Sequence, residues 1–190
     1  MNRDYYSIDS IIADQQKLGC RFSMDVPDMG FIDGGHEKDI KANNEVSLPF
    51  WLVSPMLTGG EWIDFDIPPP FGQRVQRALK ADTKNVKLTG LVGGSGLWYY
   101  FGRAIAEMLV EDQQRALSKL LLETFNARLG DIWDQAVYFG GGSGTRGGQG
   151  NDVSEEFRQG LEATERQLFL IAQESTNQMR EWLESSDRPR

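Results

Sequence analysis

The run Pro68-Pro69-Pro70 sits where the apolar pattern of this chain changes its period. Just before it, Ile63, Phe65 and Ile67 alternate with Asp64 and Asp66, which marks a strand with one buried and one wet face. From Phe71 onward the apolar residues recur at intervals of three and four, the spacing of helices packed on one side. Consecutive prolines interrupt both hydrogen-bond ladders, so the chain is expected to part near Pro68 to Gly72. The reading is an α+β protein, with a small β-rich domain over 1–70 and a larger all-α bundle domain over 71–190. The run Leu48-Pro49-Phe50-Trp51-Leu52 carries a proline that can open a helix, and Gly59-Gly60 can stop it. Leu48, Pro49, Trp51, Leu52, Ile63 and Phe65 are expected to pack at the domain junction.

In the small domain, Ser7 or Asp9 can cap a short helix carrying Ile8, Ile11, Ile12 and Leu18, with Gly19 as its end. Phe22, Met24 and Val26 alternate with polar residues and predict a strand closed by Pro27. Phe31-Ile32 makes a shorter run, and Val46 and Leu48 alternate again. A small sheet of about four strands with two short helices follows from these patterns. In the second domain the spacing predicts helices over 72–81, 97–110, 113–139 and 153–183. The long pair carries the stripes Leu117, Leu121, Phe125, Leu129, Ile132, Ala136, Phe139 and Phe157, Leu161, Thr164, Leu168, Ala172, Ser175, Met179, Trp182. Between them, the glycine-rich stretch 140–151 is expected to be a flexible loop, because it cannot bury enough apolar surface to offset its ordering entropy.

Composition excludes several functions. With a formal charge of −8 and a pI near 4.7, the chain lacks the basic surface that non-specific nucleic-acid binding requires, so its partners are expected to be proteins and direct DNA contact is not expected. Met1 to Asp9 is polar, which does not suit a secretory leader, and no apolar stretch approaches the ~20 residues of a membrane span. One cysteine, Cys20, allows no internal disulfide and suits a reducing compartment. The one histidine, His36, lies in a turn-rich segment beside Asp33, Glu37 and Asp39, a grouping that chance supplies in a chain with 28 acidic residues. Gly140 to Gly150 lacks the Gly-Lys-Ser/Thr ending of a phosphate-binding loop, and Gly93-Gly94-Ser95-Gly96-Leu97 matches neither a dinucleotide fingerprint nor a nucleophile elbow. No catalytic residue, metal site, cofactor or small-molecule substrate is expected; the chain reads as a binding protein and not an enzyme.

Some apolar residues exceed what one packed face can use. Trp98-Tyr99-Tyr100-Phe101, Leu120-Leu121-Leu122 and Leu168-Phe169-Leu170-Ile171 each cover most of the circumference of a helix. Tyr100, Leu122, Phe169 and Leu170 are therefore candidates for a partner interface. Arg74, Arg77, Lys80, Lys84 and Lys87 form a basic row in an acidic chain, and Arg74, Arg77 and Lys80 are candidates for meeting an acidic partner. On these residues alone, a self-contained helical adaptor for an acidic protein partner is the alternative reading.

The helix at 6–18, Gly30-Phe31, Leu48-Pro49-Phe50-Trp51-Leu52, the acidic-apolar strand ending at Pro68 and the helical remainder together resemble the subunits of GINS, the eukaryotic replication complex. The small domain placed first, with its strand and proline breaks, is most similar to the third Psf-type family among them. The resemblance implies a non-catalytic scaffold subunit, without cofactor, of a heterotetramer of four related chains in the nucleus. That complex joins the MCM ring and a Cdc45-type cofactor in the CMG helicase, which acts in the initiation and elongation of DNA replication.

Overall fold

The computed structural model describes residues 6–32, 34–60, 62–93, 96–140 and 150–185, with backbone alone at 139, 140 and 150–154. The expected loop over 140–151 falls largely on residues 141–149, outside the described residues; helix is already present at Gly140 and from Gly150. Two compact units result, and no single cut in the chain separates them. Met1–Gln76 with Tyr100–Ser118 makes the first, and Arg77–Tyr99 with Lys119–Arg190 the second.

The first unit is built on a three-stranded antiparallel sheet. β1 (Lys17–Phe22) is central, with β2 (Glu45–Pro49) on one edge and β3 (Ile63–Phe65) on the other. Leu18 lies opposite Leu48, Cys20 opposite both Val46 and Phe65, and Phe22 opposite Ile63. Leu18, Cys20, Phe22, Val46, Leu48 and Ile63 are buried, so alternation chose the correct face at Phe22, Val46, Leu48 and Ile63, whereas Ile67 is exposed. Leu18 and Gly19, expected to close the first helix, lie in β1 because that helix ends at Asp14. The first strand starts earlier than its pattern suggested, at Lys17, and Met24 is exposed beyond its end. Phe31-Ile32 forms a turn instead of a fourth strand, in an excursion pinned by the bridge between Val26 and Ile40. Gly30 is required there, because a Cβ would stand 2.0 Å from the carbonyl oxygen of Glu37.

Helix α1 (Ile8–Asp14) is capped by the Ser7 side chain as expected, but its inward face is the reverse of the apolar one. Ser10 and Ala13 are buried while Ile8, Ile11 and Ile12 are exposed. On the inward side the Tyr100 hydroxyl donates to Ser10 Oγ at 2.7 Å. Helix α2 (Phe50–Thr58) follows Pro49, its N-cap. Its buried residues are Phe50 and Val53, one turn apart, so Trp51 lies about 100° around the helix and is 57% exposed. Of the six residues expected at the junction, Leu48 and Ile63 are buried, Pro49, Leu52 and Phe65 are half-buried, and Trp51 is left in solvent. Phe50 is buried and meets the Phe101 ring edge-on at 6.0 Å, while Phe71 meets the same ring at 5.9 Å.

The remaining helices are α3 (Gln73–Ala81), α4 (Trp98–Ala106), α5 (Glu111–Gly140), α6 (Gly150–Gln159) and α7 (Ala163–Glu184). The expected single helix over 153–183 is thus two. Gly160 ends α6 because its carbonyl accepts the N–H groups of Leu88 and Thr89, and a Cβ there would lie 3.2 Å from the Lys87 side chain. Glu162 then caps α7 in a reciprocal capping box with Glu165.

The α2 register sets the prediction from this fold. Phe50→Ala should cost about 3–5 kcal/mol in urea unfolding, while Trp51→Ala should cost less than about 1 kcal/mol. Equal costs would show that the helix faces are misassigned.

Candidate partner-binding surfaces

The second unit is organised around a buried charge. Thr124, Arg128, Ile132 and Ala136 step by four along the inward side of α5, following Leu120 and Leu121. Phe125 and Leu129, which the apolar stripe had placed in the core, lie next to this row and are more exposed. Arg128 is fully buried, and its guanidinium makes four hydrogen bonds. Nε donates to Glu165 Oε1 at 2.8 Å, one terminal nitrogen to Glu165 Oε2 at 3.0 Å, and the other to the carbonyls of Thr83 and Val86 at 2.6 and 3.1 Å. The Tyr99 hydroxyl donates to Glu165 Oε1 at 2.8 Å, and the guanidinium lies 4.9 Å from the centre of the Phe157 ring. Burial and the adjacent Glu165 carboxylate raise the Tyr99 pKa, so the phenol stays protonated. Beside this cluster, Ile132, Ala136, Phe157, Leu161, Phe169 and Ala172 form one apolar core.

What this core leaves uncovered is the more informative surface. On α5, Leu122, Leu129, Trp133 and Val137 follow one another along an outward face, with Leu122 61% exposed. On α7, burial stops at Ala172: among the described residues no later position of the helix is buried. That second half still carries Met179, Trp182 and Leu183, with Trp182 69% exposed. A shallow groove of about 540 Å³ runs beside Leu170, Ile171, Ser175 and Gln178. Over these last twelve residues only Gln173, Thr176 and Arg180 are half-buried, and the apolar side chains lie on the exposed side.

Of the expected interface residues, Leu122 and Leu170 are exposed. Tyr100 is half-buried, and its hydroxyl is committed to Ser10. Phe169 differs from expectation: it is 8% exposed and belongs to the core, because Glu165 must face Arg128 and Phe169 lies one turn further along the same side. Arg74, Arg77 and Lys80 are exposed along α3. Lys84 and Lys87, from the same basic row, are instead paired with Asp131 and Glu156 at 2.8 and 2.9 Å, across a cavity of about 340 Å³ floored in part by Phe157. Among the described residues no group of His, Cys, Asp and Glu is arranged to hold a metal ion, and no helix is long and apolar enough to cross a membrane. Burial, with Asp64 adding to it, pushes the Cys20 thiol up to about 11, which leaves it a poor nucleophile at neutral pH.

Two protein-family models match the chain: the PSF3 N-terminal domain over residues 6–58 and the GINS complex protein helical bundle domain over residues 71–184. The chain belongs to the PSF3 family of GINS proteins. Relatives named DNA replication complex GINS protein PSF3 include those of Aspergillus fumigatus and Phaeosphaeria nodorum, 34% and 35% identical over 94% of this chain and 95% of each relative. The relative from Neurospora crassa is 30% identical over 95% of this chain and 97% of its own length. For a PSF3-family chain the exposed helix faces described above are the candidate site. The residue that sequence reasoning missed is Arg128, whose one signal was an Arg on the inward side of a helix with Glu165 at the start of another.

The cluster itself is testable. Arg128→Ala should destabilise the protein by about 3–5 kcal/mol, because Glu165 would be left as a buried, uncompensated charge. Combining Arg128→Met with Glu165→Leu should recover much of that loss in thermal unfolding. A double variant as unstable as Arg128→Ala would contradict the pairing.

Proposed function

We propose that this chain is a non-catalytic structural subunit of a heterotetrameric GINS complex. In that role it helps assemble and activate the replicative helicase formed with the MCM ring and a Cdc45-type cofactor in the nucleus. The observation that supports this reading best is the second half of α7, which has no buried residue yet carries Met179, Trp182 and Leu183. Covering it, together with the Leu122-Leu129-Trp133-Val137 face of α5, contributes ~25 cal/mol for each Å² of apolar surface removed from water. Related chains bearing the same kind of helical domain are the natural cover. The domains 1–70 and 71–190 serve as the working parts of this scaffold, a division supported by a helical-bundle match that starts at residue 71.

The basic face of α3 supplies a second contact. Arg74, Arg77 and Lys80 are exposed in a chain of net charge −8, and we assign them to an acidic surface of a partner protein. The same face is what favours the alternative of a self-contained adaptor. The two readings differ in whether the chain is stable and monomeric by itself.

Co-expression with three other GINS-type subunits, followed by native mass measurement, separates them. A one-to-one complex of four chains is expected. Ile171→Glu and Trp182→Glu should weaken assembly by on the order of 30-fold or more while leaving helix content unchanged. Phe169→Glu should unfold the chain instead. A stable monomer that ignores those subunits would overturn the assignment.

A further inference from the structure

Between the end of β1 at Phe22 and the start of β2 at Glu45 the chain makes an excursion over residues 23–44 whose backbone is tied to itself. Val26 and Ile40 exchange N–H to carbonyl bonds at 2.8 and 2.9 Å, and Gly30 N–H donates to the Lys38 carbonyl at 3.1 Å. Asn43 N–H then returns to the Phe22 carbonyl at 2.8 Å. Two carboxylates act as clasps: Asp39 Oδ1 accepts Asp28 N–H at 2.9 Å, and Asp25 Oδ1 accepts Ala42 N–H at 2.7 Å. At the tip, Ile32 N–H donates to the Met29 carbonyl and Gly34 N–H to the Phe31 carbonyl, so two successive turns surround Phe31. Phe31 stands on this restrained tip 67% exposed.

Apolar exposure continues at the same end of the sheet. Met29 flanks Phe31 and is exposed, and Met24 is exposed just beyond β1. The exposed Trp62 is tied to that end as well, because its carbonyl accepts Ser23 N–H at 2.9 Å. A single apolar residue in solvent needs no explanation, but four large ones around one sheet end mark a surface that something covers. The charge around them is mostly negative: residues 23–44 hold five acids and two lysines, and one of the lysines, Lys38, is paired with Asp28 at 3.2 Å. Glu37 and Asp39, on either side of Lys38, are exposed.

We propose that this end of the sheet is a preformed knob, centred on Phe31, that docks into an apolar socket rimmed by lysine and arginine on a partner protein. Phe, Trp and Met are the residue types that interface centres favour, and a backbone already fixed loses little further freedom on binding. The acidic surround selects the partner. It repels a phosphate backbone, which rules out nucleic acid, and it steers a basic rim toward Phe31. The knob is built from the first unit, whereas the Leu122-Leu129-Trp133-Val137 face of α5 and the exposed end of α7 are carried by the second. It is a contact additional to those faces, and its test does not depend on them.

The photo-cross-linker benzoylphenylalanine, placed at position 29 of the full chain and irradiated in growing cells, reports what covers the tip. A cross-link confined to one segment of one protein, with lysine or arginine beside apolar residues, is expected. Cross-links to nucleic acid, to an acidic segment or scattered over unrelated proteins would overturn the proposal, as would none at all. Adding Phe31→Ala to the same chain should lower the yield by about tenfold or more, and adding Glu37→Lys should lower it several-fold. Unchanged yields in these variants refute the knob. Purified Phe31→Ala should unfold within about 2 °C of wild type, since an exposed ring supports little of its own fold. A larger drop would show that Phe31 packs inside its own unit, and the knob would then be wrong.

Discussion

The buried pair Arg128–Glu165 is the constraint from which the second unit follows. Two charges taken out of water are tolerated only when nearly every donor and acceptor is met, and here α5, α7, the turn over 83–86 and Tyr99 must all be in place to meet them. Glu165 must therefore stand in the first turn of α7, which forces that helix to begin at Ala163 and α6 to stop before it. Gly160 allows the backbone to pass close to Lys87, and Glu162 becomes the cap. A pair of this kind commonly stabilises no more than a well-packed apolar replacement, but removing one partner alone leaves an uncompensated buried charge.

Those faces are what the internal packing does not use. On α5 the inward row Thr124-Arg128-Ile132-Ala136 leaves Leu122, Leu129 and Trp133 outward, and on α7 the inward row ends at Ala172. The candidate site thus holds apolar surface instead of converging polar groups. Membership in the PSF3 family gives that surface its context, because relatives across nearly the whole length are named as proteins of a replication complex.

Much of this was legible locally. Strand faces followed from alternation, as Val46, Leu48 and Ile63 show, because a strand has only two sides and one wrong step reverses both. Helix existence was equally clear. Helix phase was harder wherever apolar residues covered more than one face. In Leu168-Phe169-Leu170-Ile171 all four residue types suit a core, and in α5 two neighbouring stripes compete, so hydrophobicity alone could not choose Phe169 or prefer Arg128 to Leu129. Helix α1 makes the same point in reverse, since three isoleucines lie outward and a serine and an alanine face in.

By itself, then, the sequence determined the α+β class, the sheet faces, the change of period at Pro68-Pro69-Pro70 and the family, because each depends on spacing along the chain. Tertiary structure decided which helix faces are buried, where the expected single helix breaks, and that Arg128 and not a leucine organises the second unit. These depend on partners distant in sequence: Glu165 lies 37 residues from Arg128, and Ser10 lies 90 from Tyr100. A buried polar group is stable only once its partner has been brought to it, and spacing along the chain carries no record of that meeting.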